Sequence, residues 1–174
     1  MELLDEVERL LLEEDIRCER NEKRRQLSTY MNTGAIGSHM VITESRSFIK
    51  CVILIPIFAP PDRRASMAEA VCRANYGLHI GAFEIDLSDG EIRFRSALPT
   101  VDAHPSREAL RCLTFFSCNV VSRYTTAFGE VVFKGADPKQ AIETAEAEWQ
   151  EESRKSREEE RLSLSRPVEP TMVN

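Results

Sequence analysis

Three histidines, His39, His79 and His104, are the side chains whose ordinary pKa suits general acid–base work near neutral pH. They are far apart in the chain and none stands in a recognisable catalytic or metal-binding motif: His79 is expected to begin a strand and His104 to lie in a loop before Pro105. Glu84 and Asp86, two positions apart on an expected strand, present a carboxylate pair of the kind used for hydrolysis. Such pairs work only where the environment drives their pKa values apart, and here each carboxylate is expected to face an arginine. Cys18, Cys51, Cys72, Cys112 and Cys118 form an odd set with no CxxC spacing, so neither a zinc site nor a disulfide framework is encoded, and they read as small buried thiols. The seven glycines are scattered as turn residues without a phosphate-loop pattern, and no serine stands in a nucleophile-elbow context. The expectation is therefore no catalytic residue, no cofactor and no metal.

The carboxylate pair lies within Asn75–Pro99, a stretch that specifies a β-hairpin. Asp89-Gly90 tolerates positive φ at both centres of a type I′ turn, the preferred two-residue connection between twisted strands. A two-residue loop predicts that Ser88 faces Glu91, Leu87 faces Ile92, Asp86 faces Arg93, Ile85 faces Phe94 and Glu84 faces Arg95. One face then carries Phe83, Ile85, Leu87, Ile92, Phe94 and Leu98 as core, and the other carries two cross-strand ion pairs, Glu84–Arg95 and Asp86–Arg93. This charged face is a candidate recognition surface.

Before the hairpin, Leu3, Leu4, Val7, Leu10 and Leu11 recur at helical spacing and predict an amphipathic first helix. Arg24 to Asn32 alternates as a strand with Leu27, Thr29 and Met31 on one face, a break follows at Thr33–Ser38, and Met40–Thr43 and Phe48–Phe58 read as further strands. The last is nearly continuously apolar, as a central strand covered on at least one face would be. Gly37-Ser38-His39-Met40 resembles the remnant of a cleaved tag, but no histidine run precedes it and the upstream helix reads as native. Pro60-Pro61 stops the strand, and Asp62–Asn75 is predicted helical through Met67, Ala70, Val71 and Ala74, with Asn75 capping its end. Pro105-Ser106 opens a third helix to about Phe128. Asp137-Pro138-Lys139-Gln140 is a helix start, and that fourth helix runs through Trp149. Gln150–Arg161 can extend it, and Ser163–Asn174 reads as a disordered tail. The organisation expected is one domain over residues 1–150, with a charged extension and tail over 151–174.

A chain of 174 residues with 42% hydrophobic and 30% charged residues suits one globular domain with a substantial core. The net charge of −6 argues against broad binding to nucleic acid or anionic membranes, both of which need a positive field. The acidic, amphipathic N-terminus differs from a secretory signal, and the longest apolar run, Cys51–Ala59, is far short of a membrane span. A cytoplasmic location is expected.

The order of elements and the hairpin residues together resemble the YbjN-like family of bacterial proteins. The resemblance rests on Asn75, Gly81-x-Phe83, Ile85-Asp86, Asp89-Gly90 and Arg93-Phe94-Arg95 leading to Leu98-Pro99, and extends over about residues 3 to 146. It implies an α+β fold similar to the type III secretion chaperones, with an antiparallel sheet of about five strands, helices packed on it, and the order α-β-β-β-α-β-β-α-α. It also implies a homodimeric binding module without an established activity or cofactor.

Apolar surface is then the remaining functional signal. Phe115 and Phe116 stand side by side and cannot both enter one core from one helix face, so one of them, with Val121 or Tyr124, is expected to be exposed. Together with Leu3, Leu4, Val7 and Leu11 they form the candidate interface. The resulting expectation is a regulatory or chaperone-like protein-binding module that pairs with itself and with a protein partner. The alternative is a small-molecule site or enzyme assembled from Glu84, Asp86, Arg93, Arg95 and His79.

Overall fold

A computed structural model of the chain describes residues 2–34, 36–101 and 104–164, apart from the side chains at 160 and 162–164. Six strands form one antiparallel sheet in the order β1-β2-β3-β4-β6-β5. They are β1 (Glu19–Asn21), β2 (Gln26–Asn32), β3 (Gly37–Glu44), β4 (Phe48–Phe58), β5 (Ala82–Ile85) and β6 (Glu91–Pro99). The helices are α1 (Leu3–Glu13), α2 (Arg64–Asn75), α3 (Arg107–Arg111), α4 (Ser117–Gly129) and α5 (Pro138–Leu164). π-Helical turns at Cys112–Phe116 and Glu130–Lys134 make α3 and α4 one continuous helical run.

The helices cover one face of the sheet. In β4, Ile49, Cys51, Ile53, Ile55 and Ile57 are buried, whereas Phe48, Lys50, Pro56 and Phe58 on the opposite face are exposed. A continuously apolar strand therefore has only one covered face. Leu27, Thr29 and Met31 of β2 and Met67, Ala70, Val71 and Ala74 of α2 are buried as their spacing predicts. The fold is α+β with one more strand than the sequence spacing predicts: Glu19, Arg20 and Asn21 carry no apolar alternation and become a strand by pairing with β2. Gly37-Ser38-His39-Met40 forms the first half of β3, with Ser38 and Met40 buried.

The hairpin register differs from the predicted one by two residues. Glu84 pairs with Arg93, Ile85 with Ile92 and Phe83 with Phe94, so the faces are preserved but the loop is longer. One local and one tertiary contact outweigh the two-residue turn. Asp86 accepts hydrogen bonds from the Ser88 amide (2.8 Å) and hydroxyl (2.6 Å), an Asx turn that uses the side chain locally. Gly90, at φ +89°, lies so close to the Ala59 backbone that a Cβ would meet the Ala59 carbonyl oxygen at 2.0 Å; the Ala59 N–H donates to the Gly90 carbonyl at 2.9 Å. Leu87, expected in the core, is consequently at the loop tip and 58% exposed.

The third helix extends past its predicted end because Gly129 lies within it, and it stops at Gly135, which is left-handed at φ +66°. The Cys112–Phe116 turn is held against β6, where Ser96 Oγ is 2.9 Å from Ser117 Oγ and 3.4 Å from the Leu113 carbonyl oxygen. Both hydroxyls are buried and satisfied, as polar groups in a dry layer must be. Asp137 caps α5 as predicted, accepting from the Gln140 amide at 2.9 Å. α5 runs for 27 residues, about 40 Å. The tail expected from Ser163 lies, from Ser165 onward, outside the described residues.

Candidate interaction surface

α1 places its apolar stripe inside the chain's own core. Leu3, Leu4, Val7, Leu10 and Leu11 are all buried, and ion pairs fasten the polar side: Arg20 to Asp5 and Glu8 (2.9 Å each), and Arg107 to Glu6 and Glu13. Val121 and Tyr124, also counted as candidate interface, are 0% and 1% exposed. They lie on the buried stripe of the helical run, with Leu110, Thr114, Ser117 and Phe128 at the helical period. Tyr124 sits at 5.5 Å from Phe83 and 6.1 Å from Phe128 in an aromatic cluster that joins α4 to the hairpin. Burial pushes its hydroxyl pKa up, and the hydroxyl donates to Glu146 on α5 at 3.0 Å.

The two adjacent phenylalanines divide as their side-by-side position requires. Phe115 is half-buried with the Arg111 guanidinium 5.2 Å over its ring, and Phe116 is 40% exposed. Among the expected interface residues whose positions are described, Phe116 is the one with substantial free surface.

On the open face of the sheet, Glu84 takes both arginines, at 2.8 Å from Arg93 and 2.6 Å from Arg95. Burial raises the Glu84 pKa, but the hydrogen bonds from Arg95 and Arg93 outweigh it and hold the carboxyl below its ordinary value. Asp86 makes no ion pair with Arg93; its pKa is lowered by the Ser88 hydroxyl and amide. His79 is exposed in the loop before β5 rather than in a strand, His39 is on β3 beside Tyr30 (5.0 Å between rings), and His104 is in its expected loop. Glu84, Asp86, Arg93, Arg95 and His79 are thus spent on a salt-bridged face, a turn and a separate loop, with both carboxylates held in their ionised form rather than driven apart.

The cysteines are all free thiols, but not all are buried: Cys51 and Cys118 are, Cys18 and Cys112 are intermediate, and Cys72 is exposed on α2. Burial pushes the Cys51 thiol well up and Cys118 to about 12, which removes the thiolate needed for nucleophilic chemistry. Among the described residues no group of His, Cys, Asp or Glu could hold a metal ion, and no helix is long and apolar enough to cross a membrane.

A groove of about 750 Å³ lies elsewhere, between α4 and α5. Its floor is made of small residues, Ala127, Ala141 and Ala145, which are buried. Phe116 stands at one part of its wall and Trp149, 41% exposed, at another. The Arg123 guanidinium stacks 3.5 Å from the centre of the Trp149 ring, and its Nε is buried without a hydrogen-bond partner. Stacking on a guanidinium restrains the indole while leaving its outer surface free. Spacing brings out the Phe115–Phe116 pair, of which Phe116 is the one at the groove. Trp149 carries a signal that is easy to pass over: a lone tryptophan in a helix otherwise rich in charge.

Residues 3–130 match the YbjN family model, described as "Putative bacterial sensory transduction regulator". No curated protein matches the chain.

Proposed function

This chain belongs to the YbjN family, and on that premise we propose that it is a non-enzymatic, cytoplasmic regulatory module that pairs with itself and engages a protein partner through the groove between α4 and α5. The observation that carries the reading is the pair of exposed aromatic residues, Phe116 and Trp149, on the walls of a concavity floored by alanines. Large aromatic side chains held rigidly beside a groove are the groups that dominate binding energy at protein interfaces. Arg123 supplies the rigidity for Trp149. The electrostatics of the hairpin face support the same reading, since its carboxylates are neutralised by arginines or used in a turn.

Self-association is tested by light scattering coupled to size exclusion at tens of micromolar: twice the 19.8 kDa chain mass is expected, and a strictly monomeric peak removes the homodimer from the proposal. The partner surface is tested by Phe116→Asp. A folded variant with altered assembly or lost partner binding supports the groove, and a folded variant unchanged in both removes it.

A further inference from the structure

The walls of the α4–α5 groove restrict what can lie in it, and we infer that its occupant is an amphipathic helix with lysine or arginine flanking its apolar stripe. The inference rests on the groove being a protein-binding surface and specifies the partner's chemistry.

Both walls are helices whose backbone hydrogen bonds are satisfied internally. An extended peptide laid there would find no strand edge with which to pair its own N–H and C=O groups, whereas a helix brings those bonds with it. The α5 wall runs from Ala141 to Glu152, about 17 Å, or three turns of a docked helix. Its small floor residues allow close approach, and Phe116 and Trp149 supply exposed aromatic surface in the same groove for the apolar stripe of a docked helix.

Charge selects the flanks. On α5, Glu143 pairs with Lys139, Glu151 with Arg154 and Lys155, and Glu158 with Arg161. Glu148 and Glu152, one turn apart and both lining the groove, make no ion pair or hydrogen bond among the described residues. Of the other charged groups lining it, Glu130 is taken by Lys134 at 2.8 Å and Arg123 is stacked on Trp149. The groove therefore presents two carboxylates without an ion-pair partner against the one guanidinium of Arg123, a net negative wall that is complementary to a basic flank and repels an acidic one.

Trp149 is the single tryptophan of the chain, so its emission reports on the groove directly. The full-length protein is titrated with three tryptophan-free peptides of about three helical turns: a leucine stripe with lysine flanks, the same stripe with glutamate flanks, and a lysine peptide with the stripe scrambled. The expected result is a saturable change with the first peptide alone, weakened by added salt and about tenfold weaker in the Glu148→Lys, Glu152→Lys double variant. Equal or tighter binding of the glutamate-flanked or scrambled peptide overturns the inference, as does no saturable change with any of them. Glu148→Gln with Glu152→Gln, which removes charge without reversing it, gives an intermediate affinity if the carboxylates act as inferred and an unchanged one if they do not. A failed lysine peptide alongside partner binding that is still lost in Phe116→Asp removes the basic helix and leaves the groove; partner binding unchanged in Phe116→Asp removes the groove itself.

Discussion

The side-chain amide of Asn75 makes both hydrogen bonds that a neighbouring strand would make to Phe83: Nδ2 donates to the Phe83 carbonyl at 3.0 Å and Oδ1 accepts from the Phe83 N–H at 2.8 Å. β5 pairs with β6 on its other side and is the edge of the sheet. Asn75, at the last position of α2, thus closes part of an exposed edge and ties α2 to the hairpin. A helix cap, which the sequence suggests for this asparagine, satisfies only local groups; this contact spans two elements.

Asn75→Ala leaves a half-buried N–H and C=O without their partner and is expected to lower the unfolding free energy by about 1–3 kcal/mol. Asn75→Asp keeps the acceptor but sets a carboxylate oxygen against the Phe83 carbonyl oxygen, so it is expected to cost at least as much as Asn75→Ala at neutral pH. Urea denaturation followed by circular dichroism measures both, and an Asn75→Ala midpoint equal to that of the unaltered chain contradicts the clamp.

Tyr124 and Phe116 separate core from surface on one helical run. Tyr124→Ala removes a ring from the aromatic cluster and is expected to cost about 3–5 kcal/mol, as for other buried aromatic residues. Phe116→Ala removes a side chain that is 40% exposed and is expected to cost about 1 kcal/mol or less. Comparable losses from both variants in thermal or chemical unfolding contradict this division.

Glu84 gives the hairpin a pH dependence with a definite sign. Its folded pKa is lowered from the ordinary value of 4.5, so its stabilisation is fully present above that value and disappears as pH falls through the lower, folded value. With side-chain exposures of 28% for Glu84 and 45% for each arginine, solvent screening limits the effect to about 0.5–1 kcal/mol. The stability difference between the unaltered chain and Glu84→Gln is expected to be constant near neutral pH and to shrink in acid. A difference that grows on acidification contradicts the assignment.

Much of the fold is legible because burial and local spacing agree. β4 has the bounds that its apolar run predicts, and α2 buries the four residues at i, i+3, i+4 and i+7. The faces of the hairpin are legible and its register is not, because Asp89-Gly90 favours a two-residue turn while Asp86 and the approach of Ala59 to Gly90 favour a longer one. The second of those is a tertiary contact, invisible in a local window. β1 is hidden for a related reason, as its three polar residues become a strand only through β2. The groove is the least legible feature. Phe115 and Phe116 stand out only as a pair of which one is exposed; which of them it is, and its relation to Trp149, depend on how α5 lies along α4 and on a π turn whose residues, Cys112–Phe116, carry no sequence signature.

The groove as partner surface is tested most directly by site-specific photocrosslinking in the native host, with a benzophenone side chain placed at Asn119, an exposed groove residue, and separately at Leu87 on the hairpin tip. The prediction is a discrete protein adduct from position 119 that is lost when Trp149 is replaced by alanine, with none from position 87. A discrete adduct from position 87 and none from position 119 would contradict it.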